Sequence, residues 1–133
     1  FNRFYSPDID IQNLELATPK MFSSGDEMYE TLRWIAIMSE RVTCNLAAST
    51  GIHSGEDVIK MLLAGASAIQ VVSTLYKNGP DQIQRILTFL EGWMSEHGFD
   101  SVEQFRGKIS RKYGADPAAF ERMQFMKHYS EIR

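Results

Sequence analysis

The chain has 133 residues, of which 44% are hydrophobic and 23% charged, with a formal net charge of −3. This composition is typical of one globular domain with its own core, so we expect residues 1–133 to belong to a single domain. The mild acidity argues against a nucleic-acid-binding protein, which normally carries a concentrated basic surface. No apolar run is long enough to cross a bilayer, so no membrane partner is expected. The single cysteine, Cys44, excludes an internal disulfide and indicates a reducing, cytoplasmic compartment.

The first predicted element is a strand over residues 1–5, ended by Ser6-Pro7-Asp8. The chain opens on Phe1, without a Met and without a polar lead-in, whereas natural termini are normally exposed and polar. We therefore expect further sequence upstream of this strand.

A helix from about Asp26 to Glu40 follows an irregular segment, residues 9–20, that contains a short strand near residues 14–16. Ser23 or Ser24 is the expected helix cap. Apolar residues recur at three- and four-residue steps, which predicts one buried stripe. Its members are Met28, Leu32, Ile35 and either Met38 or Ser39.

The next segment reads as a strand, a turn and a helix. Residues 43–48 form a nearly continuous apolar run, the pattern of a strand buried on both faces, and Cys44 is expected to be a buried core thiol. Ser54, with Asp57 three residues on, predicts a capping box for a helix over 55–64. Gly65 is the expected C-terminal cap.

A second unit of the same kind follows. Residues 67–72 form the next buried strand, residues 73–77 a turn, and Pro80 opens a long helix that ends before Gly98. Two successive strand–helix units with short connections predict a parallel sheet with right-handed crossovers.

Two small helices are predicted in the tail. Ser101 would cap the first, with Gln104 at the capping-box position, and Asp116-Pro117 would open the second. Methionines and aromatic residues recur at helical spacing over residues 120–129, and we interpret them as packing residues.

Apart from the short strand near residues 14–16, only three strands are predicted, over residues 1–5, 43–48 and 67–72. A three-stranded parallel sheet leaves edges and a face unprotected. The α/β fold is therefore expected to need a partner chain or an N-terminal half that lies outside this sequence.

The two predicted strand-to-helix turns are the candidate site. Adjacent parallel strands end at the same sheet edge, so Ser49, Thr50, Gly51 and Ile52 would lie beside Val72, Ser73 and Thr74. Free backbone N–H groups and a helix N-terminus favour an anion, and glycine permits close approach of the backbone. The alternative is that these residues only cap helices and make turns; two matching turns favour the phosphate site. His53 is expected to be an exposed loop histidine, with a role near a phosphate as the alternative.

The stretch STGIHSGEDVIKMLLAGASAIQVVSTLYKNGPDQIQRILTFLEGWMSEHGFDSVEQFRGKIS resembles the C-terminal part of class 1 dihydroorotate dehydrogenases. The resemblance covers about residues 43–110 and, more weakly, residues 1–5. The GI.SGED…LLAGASAIQV outline is shared by many phosphate-binding barrels, whereas the tail LEGWMSEHGFDSVEQFRGK is more specific. The family implies a TIM (β/α)₈ barrel, of which this chain would be the C-terminal portion, about strands 6 to 8 with their helices.

The resemblance also implies site residues. The family's Gly-Gly after strand 7 falls on Thr50 and Gly51, and its Gly-Thr or Gly-Ser after strand 8 falls on Val72 and Ser73. These backbone amides hold the FMN phosphate in the family. The asparagine that contacts substrate corresponds to Asn2. Thr50 and Val72 stand where the family has glycine, and Arg3 stands where it has a small hydroxyl residue.

The functional expectation is therefore an FMN-dependent oxidoreductase that converts dihydroorotate, or a related small cyclic substrate, in pyrimidine biosynthesis. The family's catalytic base belongs to the N-terminal half, so no catalytic residue and no metal ligand is assigned to this chain, and the chain alone is expected to be inactive. A homo-oligomer is expected. The alternatives are a degenerate, non-catalytic barrel that binds a phosphate-bearing ligand without flavin, and a flavin-free barrel enzyme.

Overall fold

The structure, a computed structural model, describes residues 8–17 and 21–113. The predictions for residues 1–5, including Asn2 and Arg3, lie outside these ranges, as do those for Asp116-Pro117 and residues 120–129. The described elements, in chain order, are β1 (Asp8–Asp10), β2 (Glu15–Ala17), α1 (Met28–Ser39), β3 (Ala47–Ala48), α2 (Gly55–Ala64), β4 (Ala68–Ile69), α3 (Ser73–Asn78), α4 (Gln82–Glu96) and α5 (Lys108–Tyr113).

An antiparallel hairpin of β1 and β2 replaces most of the predicted irregular segment, with Ile9 opposite Leu16. The Asp10 carboxylate organises its turn by accepting hydrogen bonds from the backbone of Gln12 at 2.9 Å and from the side chain of Asn13 at 2.8 Å. These bonds stabilise the ionised carboxylate and lower the pKa of Asp10. The short strand predicted near residues 14–16 is β2, displaced by one residue, whereas its partner strand β1 was not predicted.

Helix α1 follows a single 3-10 turn, Gly25–Glu27. Of the two predicted cap residues, Ser23 and Ser24, it is Ser24 that caps this turn, and its backbone N–H donates to the Glu27 carboxylate at 2.8 Å. Met28 and Ile35 of the predicted stripe are buried. Leu32 packs against the core while partly exposed, and Ala36 takes the buried place expected for Met38 or Ser39.

Strands β3 and β4 pair in parallel, with Ala47 opposite Ala68 and Ala48 opposite Ile69, which confirms the predicted parallel arrangement. Both strands are shorter than predicted. Burial on both faces is wrong for this sheet, because Ala48 is fully buried whereas Ala47 and Ala68 are exposed. The helices of the described residues therefore cover one face of the sheet and leave the other open.

Cys44 is exposed, which contradicts the predicted core thiol. The physical reason is the late start of the strand. Because β3 begins only at Ala47, Cys44 lies in the irregular segment that precedes the sheet, where no helix of the described residues covers it.

Helix α2 has the predicted bounds and both predicted caps. The Ser54 hydroxyl accepts from the Asp57 backbone N–H at 3.2 Å, and the Asp57 carboxylate accepts from the Ser54 N–H at 2.9 Å. Gly65 ends the helix in the left-handed region, at a φ of 111°. The local signals were sufficient here because all partners of the caps lie within four residues.

The predicted turn over residues 73–77 is wrong, because Ser73–Asn78 forms the short helix α3. The long helix α4 ends before Gly98, as predicted. Ser101 makes no side-chain cap bond, and a 3-10 turn, Val102–Gln104, stands in place of the predicted helix. The Gln104 side chain instead accepts from the Asp100 backbone N–H at 2.8 Å.

The core lies where α2 packs against α1, α4 and α5. Met61 and Phe105 are fully buried in it, and the Phe105 ring lies 5.1 Å from Trp93 and 5.3 Å from Phe99, measured between ring centroids. Each helix in the described ranges is too short or too polar to cross a membrane. This packing holds the carboxyl ends of β3 and β4 side by side.

Candidate functional site

A cleft of about 170 Å³ lies at the carboxyl ends of β3 and β4. It is bounded by the loop after each strand and by the segment that precedes α1. All the sequence-predicted site residues of the first loop line it, together with two of the second. The lining residues are Met21, Ser23, Ser49, Thr50, Gly51, Ile52, Gln70, Val72 and Ser73. The structure therefore brings the two predicted turns together.

Thr74 is the predicted site residue that does not line the cleft. It is fully buried, and its hydroxyl donates to the His53 carbonyl at 3.2 Å and accepts from the Asn78 side chain at 3.0 Å. The Thr74 side chain thus connects helix α3 to the first loop. Asn2, the predicted substrate contact, lies outside the described residues.

The first loop carries two consecutive residues with positive φ, Thr50 at 81° and Gly51 at 72°. Glycine is required at the second position, because a Cβ there would overlap the backbone of Met28 and lie 2.9 Å from the Ser24 carbonyl oxygen. Thr50 is β-branched, so its positive φ is strained by about 1–3 kcal/mol. The Thr31 hydroxyl donates to the neighbouring Ser49 carbonyl at 2.9 Å and helps to hold this conformation.

Ser23 connects both loops to the segment before α1, a role that the sequence analysis missed. Its hydroxyl accepts from the Gly51 backbone N–H at 3.2 Å and donates to the Ser73 hydroxyl at 3.0 Å. The Ser23 backbone N–H also donates to the Ser73 hydroxyl, at 3.0 Å. In the sequence Ser23 was only one of two candidate helix caps, and contacts across 28 and 50 residues leave no local pattern.

The Ser23 carbonyl accepts two further bonds, from the Lys77 ammonium group at 2.9 Å and from His53 Nε2 at 3.0 Å. His53 is half-buried, so the expectation of an exposed loop histidine is wrong. Because a carbonyl oxygen can only accept, Nε2 carries a proton in this arrangement. His53 therefore serves to hold the first loop against the segment before α1.

The described residues of the cleft offer hydrogen-bond donors and no negative charge. None of these lining residues carries a carboxylate. Within residues 8–17 and 21–113, the backbone N–H groups of Thr50, Ile52 and Ser73 have no acceptor. The described residues also contain no group of three His, Cys, Asp or Glu side chains that could hold a metal ion. The Lys77 ammonium group lies one hydrogen bond away from the lining residue Ser23, so the local charge favours an anion.

The fold and the position of the cleft indicate the class of protein. Two parallel βα units present their loops at the carboxyl ends of the strands, where α/β proteins place their ligand sites. Comparison with known proteins then gives the family: the sequence model described as "Dihydroorotate dehydrogenase" matches residues 9–94, well over half of the chain. The chain belongs to the dihydroorotate dehydrogenase family, which confirms the resemblance.

Curated relatives match over a shorter stretch. The chain is 41% identical over 59 residues to a probable dihydroorotate dehydrogenase A (fumarate) of Enterococcus faecalis, a match that covers 44% of this chain and 19% of the relative. It is 38% identical over 68 residues to the dihydroorotate dehydrogenase (fumarate) of Lachancea kluyveri, covering 51% of this chain and 22% of the relative. The matched part thus spans about a fifth of the length of these relatives.

Solved structures agree with this assignment. The ligand-free DHODH of Eimeria tenella is similar at a TM-score of 0.61 and 25% identity, covering 65% of this chain and 24% of that chain. The same enzyme in complex with ferulenol is similar at a TM-score of 0.60, also with 25% identity, over 64% of this chain and 23% of that chain. This likeness implies a TIM-barrel fold, of which the described residues form a part.

Proposed function

We propose that this chain forms the phosphate-binding corner of an FMN site in a dihydroorotate dehydrogenase-type oxidoreductase. The observation that carries the proposal is the convergence of the loops after β3 and β4 on one donor-rich cleft, whose described lining residues include no carboxylate. Membership of a flavoprotein family supports FMN as the ligand. Because the matched part spans about a fifth of the curated relatives, the activity and substrate of the whole protein are part of this proposal.

The residues fit the phosphate group of FMN. A phosphate presents only acceptors when fully ionised, and the backbone N–H groups of Thr50, Ile52 and Ser73 are donors that have no other acceptor in the described chain. The cleft volume of about 170 Å³ is smaller than the roughly 300–1,000 Å³ of a complete small-molecule site. The cleft would therefore hold the phosphate, with the flavin ring contacting other parts of the protein.

When bound, FMN supplies the redox chemistry by accepting hydride from the substrate. The residues of this chain would bind the cofactor and orient it. Thr50, Ile52 and Ser73 would donate to the phosphate, while Ser49 and Gln70 add polar groups at the cleft wall. Asn2 stays our proposed contact to dihydroorotate or a related small cyclic substrate. We assign no catalytic base to this chain, and we expect the chain by itself to be inactive.

The open face of the sheet, which carries Ala47 and Ala68, supports a barrel assembled from more strands than the described ones. We propose that β3 and β4 correspond to strands 7 and 8 of that barrel, and that the remaining strands, with the catalytic base, form its N-terminal half. A homo-oligomer and a cytoplasmic location belong to the same proposal.

The test uses the protein expressed from its complete gene and purified without added flavin. We expect a yellow protein with the visible absorbance of bound flavin, which releases FMN on denaturation. Anaerobic addition of dihydroorotate is expected to bleach this absorbance and to form orotate. A colourless protein that takes up no added FMN would overturn the proposal.

One observation favours a second candidate, a barrel that binds a phosphate-bearing ligand without flavin. Thr50 and Val72 place side chains at the cleft where the family has glycine, and the Val72 side chain is 62% exposed there. These side chains could exclude the rest of a flavin while sparing the phosphate donors. The same preparation discriminates, because this candidate binds inorganic phosphate and not FMN.

A further inference from the structure

The hydroxyl groups of Ser23 and Ser73 form a short hydrogen-bond chain that begins at a backbone amide. The Gly51 N–H donates to Ser23 Oγ at 3.2 Å, and Ser23 Oγ lies 3.0 Å from Ser73 Oγ. The Ser23 backbone N–H reaches the same Ser73 oxygen at 3.0 Å. Ser73 Oγ is therefore within hydrogen-bond distance of two groups of one residue.

The direction of the bond between the two hydroxyls follows from their surroundings. Ser23 is buried, with 6% of its surface exposed, and the Ser23 hydroxyl proton has no acceptor in the described chain other than Ser73 Oγ. Reversing the bond would leave that buried proton unsatisfied, at a cost of about 1–3 kcal/mol. Ser73 is less buried and lines the cleft. The stable order is Gly51 N–H to Ser23 Oγ–H to Ser73 Oγ.

Counting lone pairs then decides what Ser73 can do. A serine hydroxyl has two acceptor lone pairs and one proton. The N–H and O–H of Ser23 occupy both lone pairs of Ser73 Oγ, and within the described residues the Ser73 hydroxyl has no acceptor of its own. The Ser73 hydroxyl proton is therefore the only hydrogen-bonding group of this side chain that has no partner among the described residues.

We infer that Ser23 is a positioning residue that makes the Ser73 hydroxyl a pure donor toward the cleft, where it binds a fully ionised phosphate oxygen. The chain of bonds polarises each hydroxyl in turn, which strengthens the last donor. Gly51 acts through Ser23 in this arrangement, since its own N–H is already used. The inference rests on the proposed phosphate site and adds to it a residue that the family resemblance did not assign.

The test measures binding of FMN and of riboflavin, which lacks the phosphate, to the flavin-free protein expressed from its complete gene. The readout is quenching of flavin fluorescence. Ser73→Ala is expected to weaken FMN binding by about tenfold or more, the loss of one hydrogen bond to a charged group. Ser23→Ala is expected to weaken it about fivefold. Neither substitution is expected to change riboflavin binding, whereas a general loss of structure would weaken both ligands.

Two comparisons separate positioning from packing. Ser23→Ala is expected to have little further effect in the Ser73→Ala background, because it acts through the Ser73 hydroxyl. Ser73→Thr, which keeps the hydroxyl, is expected to retain FMN binding. Ser110→Ala is the matched control: this serine is 1% exposed and donates to the Gly107 carbonyl at 3.1 Å, away from the cleft. It is expected to leave FMN binding unchanged.

The outcomes distinguish this inference from the proposed function. Wild-type protein that binds FMN, with Ser23→Ala binding it equally well, would overturn the inference alone. Wild-type protein that binds inorganic phosphate but no FMN would overturn the flavin proposal. In that case the inference is tested by the rise in Tm that inorganic phosphate causes. We expect a smaller rise for Ser23→Ala than for Ser110→Ala, and equal rises would contradict the inference. Protein that binds neither overturns both.

Discussion

Thr50 and Gly51 adopt positive φ values of 81° and 72° side by side, in the loop that follows β3 and lines the candidate cleft. Only one of them is suited to this conformation. Gly51 meets the backbone of Met28 so closely that no side chain fits, whereas Thr50 carries a β-branched side chain in a region that such residues avoid. The loop therefore holds a β-branched residue in a conformation that glycine adopts at no steric cost.

Replacing Thr50 by glycine is expected to stabilise the protein. Relief of the positive-φ strain, about 1–3 kcal/mol, exceeds the 0.5–1 kcal/mol of added chain entropy, so the net gain is about 1 kcal/mol. The measurement is the urea midpoint of unfolding. Thr43→Gly is the control, because Thr43 is exposed and does not have a positive φ, and it is expected to lower stability slightly. Equal losses in the two variants would contradict the strain at Thr50.

Gly51→Ala is expected to lower the free energy of unfolding by more than 2 kcal/mol, because its Cβ overlaps backbone atoms of α1 that cannot move away singly. Gly79→Ala provides the control. Gly79 has a similar φ of 77°, but no atom of the described residues lies within 4 Å of an added Cβ, so only strain of about 1 kcal/mol applies. Chemical denaturation of both variants measures the difference, and similar losses would mean that the close approach to Met28 is not present in solution.

Ser54→Ala is expected to cost about 1 kcal/mol of stability, since it removes the side-chain half of the capping box of α2. Ser101→Ala serves as its comparison, because Ser101 makes no side-chain cap bond and begins only a 3-10 turn. We expect a loss below about 0.5 kcal/mol there. Thermal unfolding followed by circular dichroism distinguishes the two, and an equal effect would contradict the difference between these caps.

The hairpin turn gives a prediction for pH. The Asn13 side chain is the main cause that holds the pKa of Asp10 below its ordinary value of 3.8, followed by the backbone bonds from Gln12 and Asn13. The stabilising bonds are therefore present above pH 3.8 and lost as the pH falls through the lower, folded value. Asn13→Ala is expected to raise the pKa of Asp10 in an NMR titration. Gln12→Ala keeps its backbone bond and is expected to leave that pKa unchanged; equal shifts would contradict the assignment.

The parts of the fold that were predictable depend on partners close in sequence. The bounds of α2 and its caps at Ser54 and Gly65 follow from residues within one turn of each end. The extents of β3 and β4 do not follow from nearby residues, because the burial of a strand depends on what covers each of its faces. Cys44 illustrates this: its apolar neighbours predict a buried strand, yet no element of the described chain covers it.

The candidate site was likewise predictable only in part. Its position at the ends of two parallel strands was predictable from the repeated turn pattern, and the lining residues Ser49–Ile52 and Val72–Ser73 agree. The role of Ser23 was not predictable from the sequence, because its partners lie 28 and 50 residues away. Helix α3 was missed since six residues that begin with Ser-Thr resemble a turn more than a helix.

We propose above that the cleft between the loops after β3 and β4 holds the phosphate of FMN. A crystal structure of the protein, expressed from its complete gene and saturated with FMN, tests it most directly. We expect phosphate oxygens at hydrogen-bond distance, about 2.7–3.1 Å, from the backbone nitrogens of Thr50, Ile52 and Ser73 and from Ser73 Oγ. A complex in which the phosphate lies elsewhere, with this cleft filled only by water, would contradict it.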